Sequence, residues 1–301
     1  MKVHFQHILC ATDLSDRSNS AVVQAIQMAK EFGSTLSICH VIDMPLITMH
    51  GAAFVYQEDQ IGEMKTEALA QIQQLVADTE LDWEAVVEVG PVSSTLCRLA
   101  DEKKADLTIV TTHGLSGLKR LFLGSVTERL LRTMGCPLLV VNYPEAIGKR
   151  PKPFKGFGFK QILVGCDFSA DSKRAVDYGL SLAQEFEAVI HLVHVMEPFV
   201  YHDTVHPETT LTETLVDFSS SCQSRLQELV PKEALNWCDV TFACEKGKPF
   251  QVLQAYAEEN DVDLIVLGVR GHSLVETMLL GSTTDRVIRG ACCPVLTVCP
   301  P

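Results

Sequence analysis

The strongest constraint on the fold is an internal repeat. Ile162-Leu163-Val164-Gly165-Cys166-Asp167-Phe168-Ser169 repeats Ile8 to Ser15 at an offset of 154 (167 − 13 = 154), and His194-Val195 repeats His40-Val41 at the same offset. Asp263-Leu264 and Cys293-Pro294 repeat Asp106-Leu107 and Cys136-Pro137 at an offset of 157 (263 − 106 = 157). The growth of the offset places an insertion around the second helix and its flanking loops, where added residues cost little. A chain of 301 residues is long enough for two domains. The expected bounds are 1–144 for the first copy and 160–301 for the second, with 145–159 as linker. Pro144 to Phe159 is rich in proline and glycine and carries Lys149, Arg150, Lys152 and Lys155, the composition of an exposed tether.

Within the first copy, Ile8 to Thr12 is a short apolar strand ending at Asp13. Ser15 is the candidate N-cap of a helix with Ala21, Val22, Ala25, Met28 and Ala29 at helical spacing, stopping near Gly33. Strands are expected over Thr35–Val41, Trp83–Val89, Leu107–Thr111 and Pro137–Val141, with helices over Glu58–Thr79, Val92–Lys103 and Ser125–Met134. Each copy then reads βαβαβαβαβ. Strands alternating with amphipathic helices imply an α/β fold: a parallel sheet covered on both faces. Right-handed crossovers favour a doubly wound, Rossmann-like arrangement, with five strands per copy in the order 3-2-1-4-5. Ligands of such sheets sit outside the carboxyl ends of the strands, where the order reverses. The first and fourth strands meet there, bringing together residues about a hundred positions apart.

The second copy carries a phosphate-binding pattern at that place. Leu264 to Leu267 is apolar, Gly268-Val269-Arg270-Gly271 follows, and nine residues later Gly281-Ser282-Thr283 opens a helix. Glycines let backbone N–H groups approach an anion, and a helix start adds unpaired donors and a favourable dipole. The first copy has Thr111-Thr112-His113-Gly114 and, after the same interval, Gly124-Ser125-Val126. Thr111 stands where the first glycine would be. A β-branched residue restricts the backbone and blocks close approach, although its hydroxyl can donate.

Composition narrows the function. The formal charge of −13 argues against nucleic acid and anionic membranes as partners. The N-terminus has no signal-peptide pattern, and no apolar run approaches the ~18 residues of a membrane span. Eleven cysteines, mostly in apolar runs and never as Cys-x-x-Cys, argue against a secreted disulfide framework. A cytoplasmic location is expected.

These motifs resemble the universal stress protein family in tandem form. The nucleotide-binding members of that family show Gly-x2-Gly-x9-Gly-[Ser/Thr] after the fourth strand, an Asp ending the first, and Cys-Pro leading the last. The second copy matches at Asp167, Gly268, Gly271, Gly281 and Ser282, and the first at Asp13, Gly114, Gly124 and Ser125. The resemblance implies a stress-response protein that binds ATP or AMP, with Mg2+ accompanying ATP. Ala11, Thr12 and Asp13, with Gly165, Cys166 and Asp167, would line the adenine and ribose side, and Val41 and Val195 would touch the base. Thr111, His113, Gly114, Gly124, Ser125 and Val126 would hold phosphates in the first copy. Gly268, Arg270, Gly271, Gly281, Ser282 and Thr283 would do so in the second. The resemblance also implies edge-to-edge pairing of the last strands, an intrachain pseudo-dimer, with a homodimer of whole chains as a further option.

Each motif has a plainer reading. Ser125 with Glu128, and Ser282 with Asp285, have the spacing of a capping box. Asp13 and Asp167 can serve a helix dipole. His202 and His206 with Asp203 are read as surface residues rather than metal ligands, and no metal site is expected. His40 and His194 are read as packed strand-end residues, and Cys292-Cys293 as a buried pair. The Met- and aromatic-rich stretch Met44 to Tyr56 and its counterpart Phe199 to His206 are read as domain packing ahead of lids. Lys119, Arg120 and Arg270 are candidate phosphate partners, but there is no Gly-x4-Gly-Lys-[Ser/Thr], so no catalytic residue is assigned. The expected function is a binding or signalling module. The alternatives are a slow ATP hydrolase or phosphotransferase, a scaffold with a degenerate pocket, and a module taking a metal or apolar ligand through its loops.

Overall fold

The computed structural model describes residues 3–44, 48–49, 52–53, 57–77, 79–112, 123–142, 158–197, 221–271 and 280–299. The chain divides into two compact units, residues 4–148 and, with the first three residues, 149–300.

In the first unit β1 (His7–Ala11), β2 (Thr35–Ile42), β3 (Trp83–Val89), β4 (Leu107–Thr111) and β5 (Leu138–Val141) are all parallel, in the order β3-β2-β1-β4-β5. They alternate with α1 (Asp16–Phe32), α2 (Glu58–Val76), α3 (Val92–Lys103) and α4 (Ser125–Thr133). A two-residue antiparallel pair, Thr48–Met49 with Ala52–Ala53, lies in the stretch expected to be loop.

The second unit repeats this with β6 (Gln161–Gly165), β7 (Val189–Met196), β8 (Val240–Lys246), β9 (Leu264–Gly268) and β10 (Val295–Val298), in the order β8-β7-β6-β9-β10. Its helices are α5 (Ala170–Phe186), α6 (Pro249–Glu259) and α7 (Ser282–Gly290), with a further helical stretch at 221–228 and a 3-10 turn at Lys232–Asn236. The fold class read from the repeat is therefore the observed one, with helices on both faces of each sheet.

Burial follows sheet position. The central strands β1, β4, β6 and β9 are buried along nearly their whole length, as their mainly apolar sequences require, with Thr108 and Thr111 the buried polar residues of β4. The outer strands β3 and β8 are only partly covered. Burial also raises the thiol pKa of Cys10 and Cys39, the latter to about 12, so both behave as small apolar core groups.

Two expectations need correction. Phe159, assigned to the exposed linker, is buried and stacks edge-on against Phe186 at 5.2 Å. It is the counterpart of Phe5, which stacks on Phe32 at 5.0 Å, so the repeat starts earlier than Ile8 and Ile162. The cysteine reading did not foresee that Cys222 and Cys244 form a disulfide, which ties the helical stretch 221–228 to β8. The Pro144 to Phe159 linker otherwise lies outside the described residues, apart from 158.

The first helix of each unit starts as its sequence dictates. Ser15 Oγ accepts from Ser18 N at 3.3 Å, and Ser169 Oγ accepts from Ser172 N at 3.2 Å. Gly33, with φ +62°, closes α1 in a left-handed turn. Ser169→Ala removes the α5 cap and is expected to cost ~1 kcal/mol. Paired urea melts check this, and an unchanged midpoint would contradict it.

Candidate functional site

At the carboxyl end of β6 the chain makes the same turn as at the end of β1. Asp167 Oδ1 accepts from Ser169 N at 3.0 Å, and Asp13 Oδ1 accepts from Ser15 N at 3.1 Å. The residue between is forced into the left-handed region in both copies, Leu14 at φ +63° and Phe168 at φ +67°. Large side chains seldom adopt that conformation. A histidine from the neighbouring strand anchors each turn: His40 Nδ1 lies 2.9 Å from Thr12 O, and His194 Nδ1 lies 2.8 Å from Cys166 O. His194 also packs on the Phe168 ring, which Arg225 covers at 3.9 Å. The reading of both histidines as packed strand-end residues is thus what the structure contains.

Across the switch point, β9 ends at Gly268, where no side chain fits. A Cβ there would lie 2.8 Å from the Asp171 backbone carbon and 2.9 Å from Ser172 N, inside the first turn of α5. Gly271 faces Asp167, whose Oδ2 would lie 2.6 Å from an added Cβ. Gly281 N donates to Val269 O at 2.9 Å, folding the end of the segment back onto its start. Thr284 Oγ1 donates to Gly268 O at 2.8 Å and completes the clasp. The first copy is closed by the same pair of bonds, Gly124 N to Thr112 O at 2.9 Å and Thr127 Oγ1 to Thr111 O at 2.8 Å.

This clasp overturns the capping-box reading. Gly124 and Gly281 are the N-caps, and the serines are the first helical residues. A side chain at that position cannot reach the donors that a capping residue serves. The acidic partners turn outwards instead: Glu128 pairs with Arg132 at 2.7 Å and Asp285 with Arg289 at 2.8 Å. The N–H groups of Ser282, Thr283 and Thr284 therefore point from the start of α7 without an intrahelical acceptor. Among the described residues Ser282 Oγ has no hydrogen-bond partner.

Every residue expected from the second copy lines one cleft of about 260 Å³: Gly165, Cys166, Asp167, Val195, Gly268, Arg270, Gly271, Gly281, Ser282 and Thr283. The cleft lies at the carboxyl ends of β6 and β9, as the strand order requires. Arg270, the candidate phosphate partner, lines the cleft but is already engaged: its Nε donates to Asp171 Oδ2 at 3.1 Å, and its backbone N donates to the same oxygen at 3.2 Å. Asp171 itself is only 6% exposed. Desolvation by burial raises the Cys166 thiol pKa, so this cysteine is a wall residue rather than a nucleophile.

Ser172, Val193, Glu197, Pro249, Leu253, Leu267 and Thr284 also line the cleft. Val193 was readable, because it shares a face of β7 with Val195. Pro249 and Leu253 carried no such signal, since only the packing of α6 against β7 brings them there.

In the first copy Ala11, Thr12 and Asp13 end β1, Val41 is buried in β2, Thr111 ends β4, and Gly124, Ser125 and Val126 open α4. Thr12 Oγ1 lies 2.8 Å from Ser18 Oγ, inside the structure. His113, Gly114, Lys119 and Arg120 lie outside the described residues. So does the whole of Phe199–His206, with His202, Asp203 and His206, and most of the Met44–Tyr56 stretch. Among the described residues no three acidic, His or Cys side chains gather into a metal-holding group, and no helix is long and apolar enough to cross a membrane.

A family model described as the universal stress protein family matches residues 4–142 and again 158–298. A universal stress protein of Mycobacterium bovis is 25% identical over 305 residues, covering 97% of this chain and 96% of its own. One from Methanocaldococcus jannaschii is 31% identical over 143 residues, covering 47% of this chain and 84% of its own. Among solved structures, a universal stress protein from Archaeoglobus fulgidus shares the fold with a TM-score of 0.68 at 22% identity, covering 98% of this chain and 97% of its own. With the family's domain matched once in each half, the chain belongs to the universal stress protein family as a tandem member.

Proposed function

We propose that the second copy is an adenine-nucleotide binding module and that occupancy of its cleft is the signal the protein carries in a stress response. The observation that carries this reading is the convergence of Gly268, Gly271 and the start of α7 on one cleft. Bare backbone and three N–H groups without intrahelical acceptors make an anion seat there, with Ser282 and Thr283 adding hydroxyls. Val193 and Val195 give an apolar wall for a base, and Asp167 a carboxylate within reach of a ribose hydroxyl.

Binding rather than turnover fits the described lining, whose one cation, Arg270, is already bonded to Asp171. Phosphoryl transfer calls for cations on the transferring group and a means of orienting the nucleophile. Mg2+ would arrive as the counter-ion of ATP. The first copy differs at Thr111, a buried side chain where the second has a bare glycine, so its site is the weaker of the two.

Native mass spectrometry of gently purified protein tests this. An adenine nucleotide released on denaturation, with no more than one tightly held equivalent per chain, is expected. Protein that carries none and shows no thermal shift with AMP, ADP or ATP would overturn the reading.

A further inference from the structure

We infer that the Cys222–Cys244 bridge is a reversible thiol–disulfide switch that holds or frees the turn at Asp167. All eleven cysteines are accounted for: these two are joined and the other nine are free. A single bridge among free thiols is unlike the framework of a disulfide-stabilised domain. It is like the pairs that open and close with redox conditions.

The bridge closes a circuit of contacts. Cys244 stands opposite His194 in the β7–β8 register. His194 packs on the Phe168 ring at 4.7 Å, and its Nδ1 lies 2.8 Å from Cys166 O. Arg225 covers the same ring at 3.9 Å. It lies three residues after Cys222 in the helical stretch 221–228, so the two share a side of that helix. The stretch is thus tied at one point to β8 and at another to Phe168, which follows Asp167 in the left-handed turn at φ +67°. Little else fastens it. Of residues 221–228 only Cys222 and Leu226 are buried. A segment with so few buried apolar groups opens easily once its covalent tie is cut.

The first copy has the same corner without sulfur. Ala68, Ile72 and Val76 are the buried residues of α2, at the positions of Cys222, Leu226 and Val230 (222 − 68 = 154). Val87 stands opposite His40 as Cys244 stands opposite His194 (244 − 87 = 157). Gln71 takes the place of Arg225, and Leu14 that of Phe168 (225 − 71 = 154). The fold therefore does not require the bridge. The copy that has it also has the Arg225–Phe168 contact that carries its state to the turn.

A dithiol opens the bridge. Its thiolate attacks one sulfur, the S–S bond breaks, and the other sulfur leaves as a thiolate that takes up a proton. The second thiol of the reductant then attacks the mixed disulfide and releases the remaining cysteine. The protein gains two electrons and two protons, and the reductant ends as its own disulfide. With the bridge open, 221–228 leaves the Phe168 ring and the turn 166–169 loosens, with or without a ligand in the cleft.

Hydrogen exchange followed by mass spectrometry on the full chain tests this, after oxidised glutathione and after dithiothreitol. A peptide linked through Cys222 and Cys244 is expected in the first state and not in the second. Reduction is expected to speed exchange at 221–228 and at 166–169 by at least ~5-fold, leaving 12–15 unchanged. Cys222→Ala with Cys244→Val carries the first copy's residues and is expected to lose the response to dithiothreitol. Arg225→Gln, at an exposed position, is expected to keep the response at 221–228 and lose it at 166–169. Should the double variant fail to fold, the unaltered protein and Arg225→Gln carry the test. No linked peptide under oxidised glutathione would overturn the inference. So would a turn that reduction does not move, or a response at the turn that survives in either variant.

Discussion

Gly271→Val is expected to weaken nucleotide binding at the second site by at least ~100-fold, about 2.7 kcal/mol, while the thermal midpoint moves by only a few degrees. The two effects separate because of what the new side chain meets. A Cβ at 271 would lie 2.6 Å from Asp167 Oδ2, the far end of a side chain, and among the described residues only the carboxylate group of Asp167 lies within contact range. Asp167 can rotate away, so the fold survives. It rotates out of the place where it faces the ligand, and the valine methyls occupy the approach to the turn. Calorimetry with AMP and a thermal melt on one preparation check both halves. Unchanged affinity would show that the ligand does not pass this turn.

Gly268→Thr is expected to do both kinds of harm. Here the added Cβ would meet the Asp171 backbone carbon and Cβ at 2.8 Å and Ser172 N at 2.9 Å. These atoms belong to the first turn of α5 and cannot step aside singly. The helix must shift, breaking the Asp171–Arg270 bonds and loosening the cap at Ser169. Overpacking that forces side-chain and backbone shifts costs ~1–3 kcal/mol, and because backbone must yield here a loss at the upper end, ~3 kcal/mol, is expected. The first copy is folded around Thr111 at the equivalent place, buried at 9%. The reciprocal change, Thr111→Gly, is therefore expected to leave the second site untouched. Chemical denaturation followed together with AMP affinity reads both quantities. A Gly268→Thr protein of unaltered stability would mean that α5 does not sit against this glycine.

Much of this is legible in the amino-acid sequence. Asp13 and Asp167 recur at a fixed offset because each ends a first strand and caps the turn that follows. The β4 and β9 runs are mainly apolar because they are covered on both faces. Those two facts place the crevice. The helix starts at Ser125 and Ser282 are as the sequence suggests, but the capping residue lies one place earlier, at Gly124 and Gly281, and Gly281 N is tied back to Val269 O. Sequence spacing alone gives Ser282 and Asp285 the look of a capping box. The Asp171–Arg270 pair joins residues 99 positions apart, and neither periodicity nor turn chemistry announces it. Comparing the copies position by position would have flagged it, because Arg17 and Asp171 carry opposite charges. Cys222–Cys244 had no counterpart in the first copy to reveal it.

A crystal structure of the full chain grown with AMP tests the central claim most directly. The account predicts a nucleotide in the cleft of the second copy, its phosphate against the N–H groups of Ser282, Thr283 and Thr284 and its base against Val195. An empty cleft at saturating AMP, or a nucleotide bound elsewhere with Gly271 and Ser282 untouched, would contradict it.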